Sequence, residues 1–176
     1  MVEMEYRLME LQNQLATRMG DGLDLKSTAT IALQIAIQAS EMDCGGIYLL
    51  HEDPTRLSLV TVSGLGKEFI DSIETYLQNS DRWQMIMKAR PIYSNYEELP
   101  LEKNKIMNQE GLCSVAILPL VYQNQVVGSL HVASHQIRKI DASQKKVLET
   151  ISLQLARNFQ HARQIEEQTK QSLNYQ

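Results

Sequence analysis

The chain of 176 residues has little cysteine: Cys44 and Cys113 lie far apart and form no CxxC pair. A disulfide framework or a zinc knuckle is therefore not expected. No apolar run approaches the roughly 20 residues that cross a bilayer, and the first residues carry no signal-peptide pattern. The net charge is only −4, so no excess of basic residues would attract nucleic acid or an anionic membrane. These absences predict a reduced, cytoplasmic protein that inserts no segment into a membrane.

Signatures of catalysis and of repetition are also missing. The sequence has no Ser/His/Asp pattern, no HExxH pair and no phosphate-binding loop, and no segment repeats. Hydrophobic residues make up 43% and charged residues 22% of the chain, as in ordinary globular proteins. The length suits one compact domain with a helix or two in addition. We therefore expect a domain that is not itself an enzyme.

Two helices are predicted at the start of the chain. The apolar residues of the first recur at intervals of four, three and four, as in a coiled coil: Met4, Leu8, Leu11 and Leu15. This spacing predicts a coiled-coil-like helix over residues 1–20, ended by the run Gly20–Gly22. Asp24 can cap a second helix, which is apolar nearly all round and should be buried against a sheet.

The next segment alternates between strand and helix patterns. Two strands are predicted at Gly45–His51 and Arg56–Ser63, joined by a turn that contains Pro54. Further along, the pattern predicts short helices at Phe69–Leu77, Trp83–Met87 and Leu101–Gln109. It predicts one short strand at Arg90–Tyr93. Such a mixed stretch between two hairpins is typical of the wall of a pocket.

The most informative run is Gly111–Ser134, which reads as two apolar strands joined by a short polar turn. Pro119 lies inside the first strand, so that strand must be at an edge, at a bulge, or at a position whose N–H would face no partner. Gly128 lies inside the second strand, where a missing side chain suits a helix packed closely over it. Asp141 and Gln144 then form a capping-box pattern before a long helix with an apolar stripe from Leu148 to Ile165.

This order of elements predicts an α+β sandwich of helices on a sheet. Its motifs resemble the GAF domain family, a small-molecule sensing and dimerisation module of signalling proteins. The resemblance covers about 23–167 and rests on Gly111-Leu112 leading into Ser114–Leu120, on Val127–Leu130 and on Leu155–Arg163. It implies a profilin-like antiparallel sheet of five to six strands. Long N- and C-terminal helices would cover one face, and short helices and loops would form a pocket on the other.

The resemblance also implies a ligand site on the face away from the terminal helices. Alternation assigns Gly128, Leu130 and Val132 to the helix side and Ser129 and His131 to the pocket side. In the preceding strand the alternation is ambiguous, and comparison with phytochrome members of the family favours the odd-numbered residues. The candidate pocket residues are therefore Cys113, Val115, Ile117, Ser129 and His131, with Trp83 and Ile86 as a lid.

Cofactor chemistry follows from the same resemblance. Some family members hold haem, and a thiolate at Cys113 with an imidazole at His131 would suit haem, a metal or a redox signal. The alternative is that both residues are ordinary packing side chains. Covalent bilin attachment is not expected, because Glu102 and Lys103 stand where bilin-binding members have Cys-His. A thiol-dependent redox enzyme that uses Cys113 is the alternative function.

The terminal helices predict a mechanical role. Both present apolar stripes, which either pair within one chain or form a homodimer, and we expect the homodimer. The resemblance implies a sensor domain over 21–167 of a signal-transduction protein, such as a two-component histidine kinase that binds an unidentified small molecule. Residues 168–176 would begin a linker helix to a further domain.

Overall fold

The structure is a computed structural model that describes residues 2–19 and 24–175. The expected helix end at Gly20–Gly22 lies outside these residues. The side chains of the predicted N-terminal stripe, Met4, Leu8, Leu11 and Leu15, also lie outside the described part. Within the described part, no helix combines the length and the hydropathy that crossing a membrane requires.

The described part of the chain forms six α-helices, six strands and one 3₁₀ turn. The helices are α1 Val2–Met19, α2 Leu25–Ser40, α3 Lys67–Ile73, α4 Asp81–Met87, α5 Lys105–Glu110 and α6 Ala142–Leu173. The strands are β1 Cys44–Leu50, β2 Arg56–Ser63, β3 Thr75–Leu77, β4 Ile92–Asn95, β5 Ser114–Tyr122 and β6 Gln125–Ser134, and the 3₁₀ turn is Tyr96–Glu98.

All six strands form one antiparallel sheet in the order β3-β2-β1-β6-β5-β4. The predicted α+β class and the closing hairpin β5–β6 are therefore confirmed. Pro119 pairs with Ser129 of β6 on one side. On the other side the β4–β5 pairing reaches only to Ile117, so no strand of the described residues pairs with Pro119 there, as a strand proline requires.

The two faces of the sheet carry separate apolar clusters. Leu118, Leu130 and Val132 pack with α2 and α6 on one face. Val115, Ile117 and Ala133 pack with the short helices and loops of the middle segment on the other. Period-2 alternation along β5 and β6 produces this division, since neighbouring residues point to opposite sides. The helix layer and the pocket layer therefore share only the sheet between them.

Side-chain caps begin both helices of the helix layer. Asp24 accepts a hydrogen bond of 2.8 Å from the backbone N–H of Ser27 at the start of α2. Asp141 accepts from the N–H of Gln144, and the Gln144 side chain accepts from the N–H of Asp141, which completes the capping box of α6. Both predicted helix starts are therefore confirmed.

Three details differ from the sequence expectation. Leu77 lies in β3 rather than in a helix, because Thr75–Leu77 pairs with the start of β2. Leu101 precedes α5, which begins only at Lys105. The expected close helix over Gly128 is wrong: a Cβ there would overlap the backbone carbonyl oxygen of Tyr48 in the neighbouring strand β1. The missing side chain of Gly128 allows β6 to lie close to β1.

Candidate functional site

A small cavity lies on the pocket face of the sheet. Its volume is about 30 Å³, which is room for one or two water molecules. The apolar part of its lining comes from the middle segment and from β5: Phe69, Ile73, Leu99, Leu112, Val115 and Ile117. The polar part is one arginine, one histidine and three tyrosines. The cavity is therefore mostly apolar with a few converging polar groups, as small-molecule sites usually are.

The arginine and the three tyrosines of the lining form one hydrogen-bonded chain. The hydroxyl of Tyr48 lies 2.6 Å from the carbonyl oxygen of Ile73 and 2.7 Å from the hydroxyl of Tyr76. Arg82 donates to the hydroxyl of Tyr76 at 3.0 Å and to that of Tyr96 at 2.8 Å. The Arg82 guanidinium also lies 5.3 Å from the centre of the Tyr76 ring, within cation–π range.

These tyrosines are buried: Tyr48 is 1%, Tyr76 5% and Tyr96 5% exposed. Burial raises the pKa of Tyr48 and of Tyr76, so both hydroxyls keep their protons at neutral pH. The rings of Tyr48 and Tyr76 stack with centres 4.4 Å apart. The chain therefore combines a rigid aromatic stack with one positive charge.

His131 sits in the middle of the sheet, opposite Gly46 of β1 and Ile117 of β5. Its Nε2 lies 2.8 Å from the hydroxyl of Ser129, and the accessible part of its ring borders the cavity. Burial, together with the nearby charge of Arg82, lowers the pKa of His131 to about 3. The imidazole is therefore neutral over the whole physiological range.

The structure brings together only part of the predicted pocket set. Val115, Ile117 and His131 line the cavity. Ser129 is fully buried and contacts the cavity through its bond to His131. The three others are not part of the lining: Cys113, Trp83 and Ile86. Trp83 and Ile86 pack in the surrounding apolar cluster instead.

Cys113 precedes β5, and its Sγ lies 3.4 Å from the backbone oxygen of His135 and 3.6 Å from that of Gly111. It therefore does not face His131 across the cavity. A haem held between these two residues would also need far more room than about 30 Å³. The residues present do not fit that group, and we derive no step through it.

The comparisons with known proteins agree with this architecture. The family model described as GAF domain matches residues 22–160. The chain belongs to the GAF domain family. The predicted family is thereby confirmed. A comparison of the sequence with curated proteins found no match.

Solved structures share the fold of this GAF domain at low sequence identity. The GAF domain of a phosphoenolpyruvate-protein phosphotransferase from Coxiella burnetii has a TM-score of 0.81 and 13% identity, covering 93% of this chain and 98% of that one. The GAF domain of a candidate sensor histidine kinase from Pseudomonas syringae pv. tomato has a TM-score of 0.70 and 18% identity, with 94% of each chain covered. The free methionine-R-sulfoxide reductase of Neisseria meningitidis, solved with its substrate, has a TM-score of 0.73 and 16% identity, covering 92% and 93%. At these identities the likeness shows the fold alone.

A second polar cluster closes one end of the pocket layer in this GAF domain. The two ring nitrogens of His135 lie 2.9 Å from carboxylate oxygens of Asp43 and Glu110. Glu110 also accepts the backbone N–H of Gly66 at 3.2 Å. We call Asp43, Glu110 and His135 the histidine clasp. It ties together the segment before β1, the segment before α3, the end of α5 and the end of β6.

Cys44 lies beside the histidine clasp. Asp43, Cys44 and His135 each place one ligand atom within 4.8 Å of the others. The Cys44 thiol is buried and donates to the backbone oxygen of Ala133 at 3.2 Å. Burial and the neighbouring Asp43 carboxylate raise the pKa of Cys44, which keeps the thiol protonated and disfavours the thiolate that a metal needs.

Sequence reasoning missed the arginine and the tyrosines of the cavity. Tyr48, Tyr76, Arg82 and Tyr96 come from β1, β3, α4 and the 3₁₀ turn, so no local pattern groups them. The only available signal was Arg82 itself, a charged residue next to Trp83 in a short helix with buried Met85 and Ile86.

Proposed function

We propose that this GAF domain is a cytoplasmic sensory module of a signal-transduction protein, of the histidine kinase type. It binds a small molecule in the cavity and passes the binding event to its helix layer. The sensor unit is residues 21–167, with residues 1–20 as a coiled-coil-like helix and 168–176 as the start of a signalling helix. The domain itself carries out no reaction.

One observation carries this proposal: a half-buried arginine and three buried tyrosines line a cavity on the face opposite α2 and α6. Buried polar groups cost free energy, and an arginine without a carboxylate partner is rare in a structural core. A core that served only folding would gain from apolar residues there. The polar lining is therefore best explained as a binding surface.

The central strands connect the cavity with the helices. In β1, Tyr48 lines the cavity while Ile47 belongs to the cluster under α2 and α6. In β6, His131 likewise lines the cavity, while Leu130 belongs to the cluster under α2 and α6. A shift of these strands when a ligand enters must move residues on both faces, because the packed interior transmits strain. Ligand binding can thus change the tilt of α6 and favour one of two output states.

A ligand screen tests the proposal. We expect at least one member of a broad panel of small metabolites to raise the melting temperature by about 5–10 °C at a hundred times its dissociation constant. The same compound should change amide hydrogen exchange in residues 160–173 of α6, which do not touch the cavity. That second readout separates sensing from simple binding.

A cavity-filling variant supplies the control. Ala133→Val adds two methyl groups at a cavity-lining position and should remove the thermal shift, while Ala162→Val on α6 should keep it. The proposal fails when no compound of the panel binds, or when binding persists in Ala133→Val with unchanged affinity.

A further inference from the structure

A surface groove lies on the outer side of Arg82. Its volume is about 300 Å³, at the lower end of the range for small-molecule sites. Ile73, Tyr76 and Arg82 line both this groove and the inner cavity. These three residues therefore form a wall between the groove and the smaller inner cavity, and Arg82 is the charged member of that wall.

Arg82 has no acidic partner to neutralise it. Among residues 2–19 and 24–175, no carboxylate oxygen lies within 4.0 Å of a guanidinium nitrogen of Arg82. Its hydrogen bonds go to two neutral hydroxyls, those of Tyr76 and Tyr96. A guanidinium has five N–H donors, so most of them remain available.

The tyrosines add a further donor. A hydroxyl has one proton, so when Tyr48 donates to the carbonyl of Ile73, Tyr76 must donate to Tyr48. The hydroxyl of Tyr96 accepts from Arg82, and in the described part of the chain its own proton meets no acceptor. Tyr96 is 5% exposed, so bulk water does not readily serve it. Arg82 in the wall and Tyr96 on its cavity side therefore offer several N–H and O–H donors that meet no acceptor in the described part of the chain.

We propose that the groove binds a small organic carboxylate on Arg82, and that the hydroxyl of Tyr96, which lines the inner cavity, donates to it once the wall has opened. A carboxylate accepts two parallel bonds from a guanidinium and supplies the missing negative charge. A doubly charged phosphate fits less well, because Asp81 and Glu102 also border the groove and repel it. This inference names the ligand class and rests on the proposed function.

The same contact opens the wall. The carboxylate takes over donors that Arg82 now gives to Tyr76 and Tyr96, so the two tyrosine rings lose their tie to the guanidinium. The groove and the cavity then join, and the apolar body of the ligand can reach Phe69 and Ile117 in the cavity lining. The inner cavity of about 30 Å³ is in this interpretation the ligand-free state.

The test compares charged and uncharged probes of equal shape. Sodium propionate, butyrate and benzoate are titrated against propionamide, butyramide and benzamide at constant ionic strength, with inorganic phosphate as a further arm. Trp83 is the single tryptophan of the sequence and directly follows Arg82, so its fluorescence reports binding, and the melting temperature is a second readout. We expect the best carboxylate to bind at least about tenfold more tightly than its amide.

Substitutions test whether Arg82 and Tyr96 cause the tighter binding of carboxylates than of amides. Arg82→Gln should weaken carboxylate binding at least about tenfold and abolish the preference over the amide. Tyr96→Phe should weaken it severalfold, and Arg90→Gln, which changes an exposed arginine outside the groove, should have no effect. Arg82→Lys keeps the charge and loses the paired geometry, so it should bind with intermediate affinity even where Arg82→Gln fails to fold.

Several results would overturn the assignment. They are equal binding of amides and carboxylates, tighter binding of phosphate, an unchanged affinity in Arg82→Gln or Arg82→Lys, or no binding of any carboxylate probe. None of these results contradicts the proposed function, which fails when no compound of the metabolite panel binds or when binding persists unchanged in Ala133→Val.

Discussion

At the scale of single residues, His135 is the group whose charge most directly holds the pocket layer together. Both of its ring nitrogens lie 2.9 Å from carboxylate oxygens, so both need a proton to donate. Hydrogen bonding to Glu110, and then to Asp43, raises the pKa of His135 above its usual 6.5. Partial burial raises the pKa of Asp43, but the bonds from His135 outweigh it and the pKa is lowered.

The histidine clasp should therefore make stability depend on pH. Because the folded-state pKa of His135 is raised, its contribution is fully present below the unfolded pKa of about 6.5 and is lost as pH rises through the folded value. We expect His135→Gln to lower the free energy of unfolding by about 0.5–1 kcal/mol near pH 6, since the side chain is 35% exposed and solvent screens the pair. The loss should shrink toward pH about 8.5. Urea unfolding at both pH values measures it.

His161→Gln is the matched control, because His161 is an exposed histidine of α6 remote from the clasp. Its effect should be the same at both pH values. A destabilisation by His135→Gln that stayed constant, or grew with pH, would show that the clasp does not require the protonated imidazole.

At the scale of elements, the two central strands approach each other through glycine. Gly128 of β6 lies against the backbone carbonyl of Tyr48 in β1, and Gly45 of β1 lies against the carbonyl of His131 in β6. A side chain at either position would meet backbone, which cannot rotate away. The approach therefore depends on the missing Cβ atoms rather than on glycine's freedom of φ, since neither residue has a positive φ.

Gly128→Ala should destabilise the domain far more than Gly46→Ala. A Cβ at Gly46 would meet the flexible tip of Leu59 at 3.0 Å and the backbone oxygen of Thr61 at 3.3 Å, whereas one at Gly128 would overlap the backbone oxygen of Tyr48 in β1. Both substitutions lower the conformational entropy of the unfolded chain equally, so this contribution to the free energy of unfolding cancels in the comparison. We expect Gly128→Ala to cost about 2–3 kcal/mol more, measured as a lower urea midpoint at an unchanged slope. Equal midpoints would contradict the strand contact.

The same elements show what sequence could and could not predict. The caps at Asp24 and Asp141 and the alternation along β6 are local patterns, and the structure has them as expected. The partner of Gly128 was not predictable, because β1 and β6 are distant in sequence and only their pairing brings them together. The role of Arg82 in the cavity was not predictable for a similar reason, because its hydroxyl partners belong to β3 and the 3₁₀ turn.

At the scale of the whole molecule, α6 continues for more than a dozen residues beyond its last buried side chain. Its 32 residues span about 48 Å, yet its last buried residue is Phe159. Ile165 and Leu173 beyond this point are 50% and 67% exposed and lie eight residues apart, within about a quarter of a turn of each other around the helix. An extended helix with an uncovered apolar edge is a suitable surface for a second copy of the chain.

We therefore expect the domain to form a homodimer through the end of α6. Ile165→Lys combined with Leu173→Lys should weaken this dimer at least about tenfold, because two lysines would face each other across the two-fold axis. Leu153→Lys is the control, since Leu153 is 53% exposed but lies about a third of a turn away from Ile165 around the helix. Sedimentation equilibrium gives the dissociation constant, and circular dichroism verifies that helix content is unchanged. A monomeric wild-type protein, or a double variant that dimerises as tightly as Leu153→Lys, would exclude α6 as the dimer interface and leave the sheet as the remaining route from the cavity to any output.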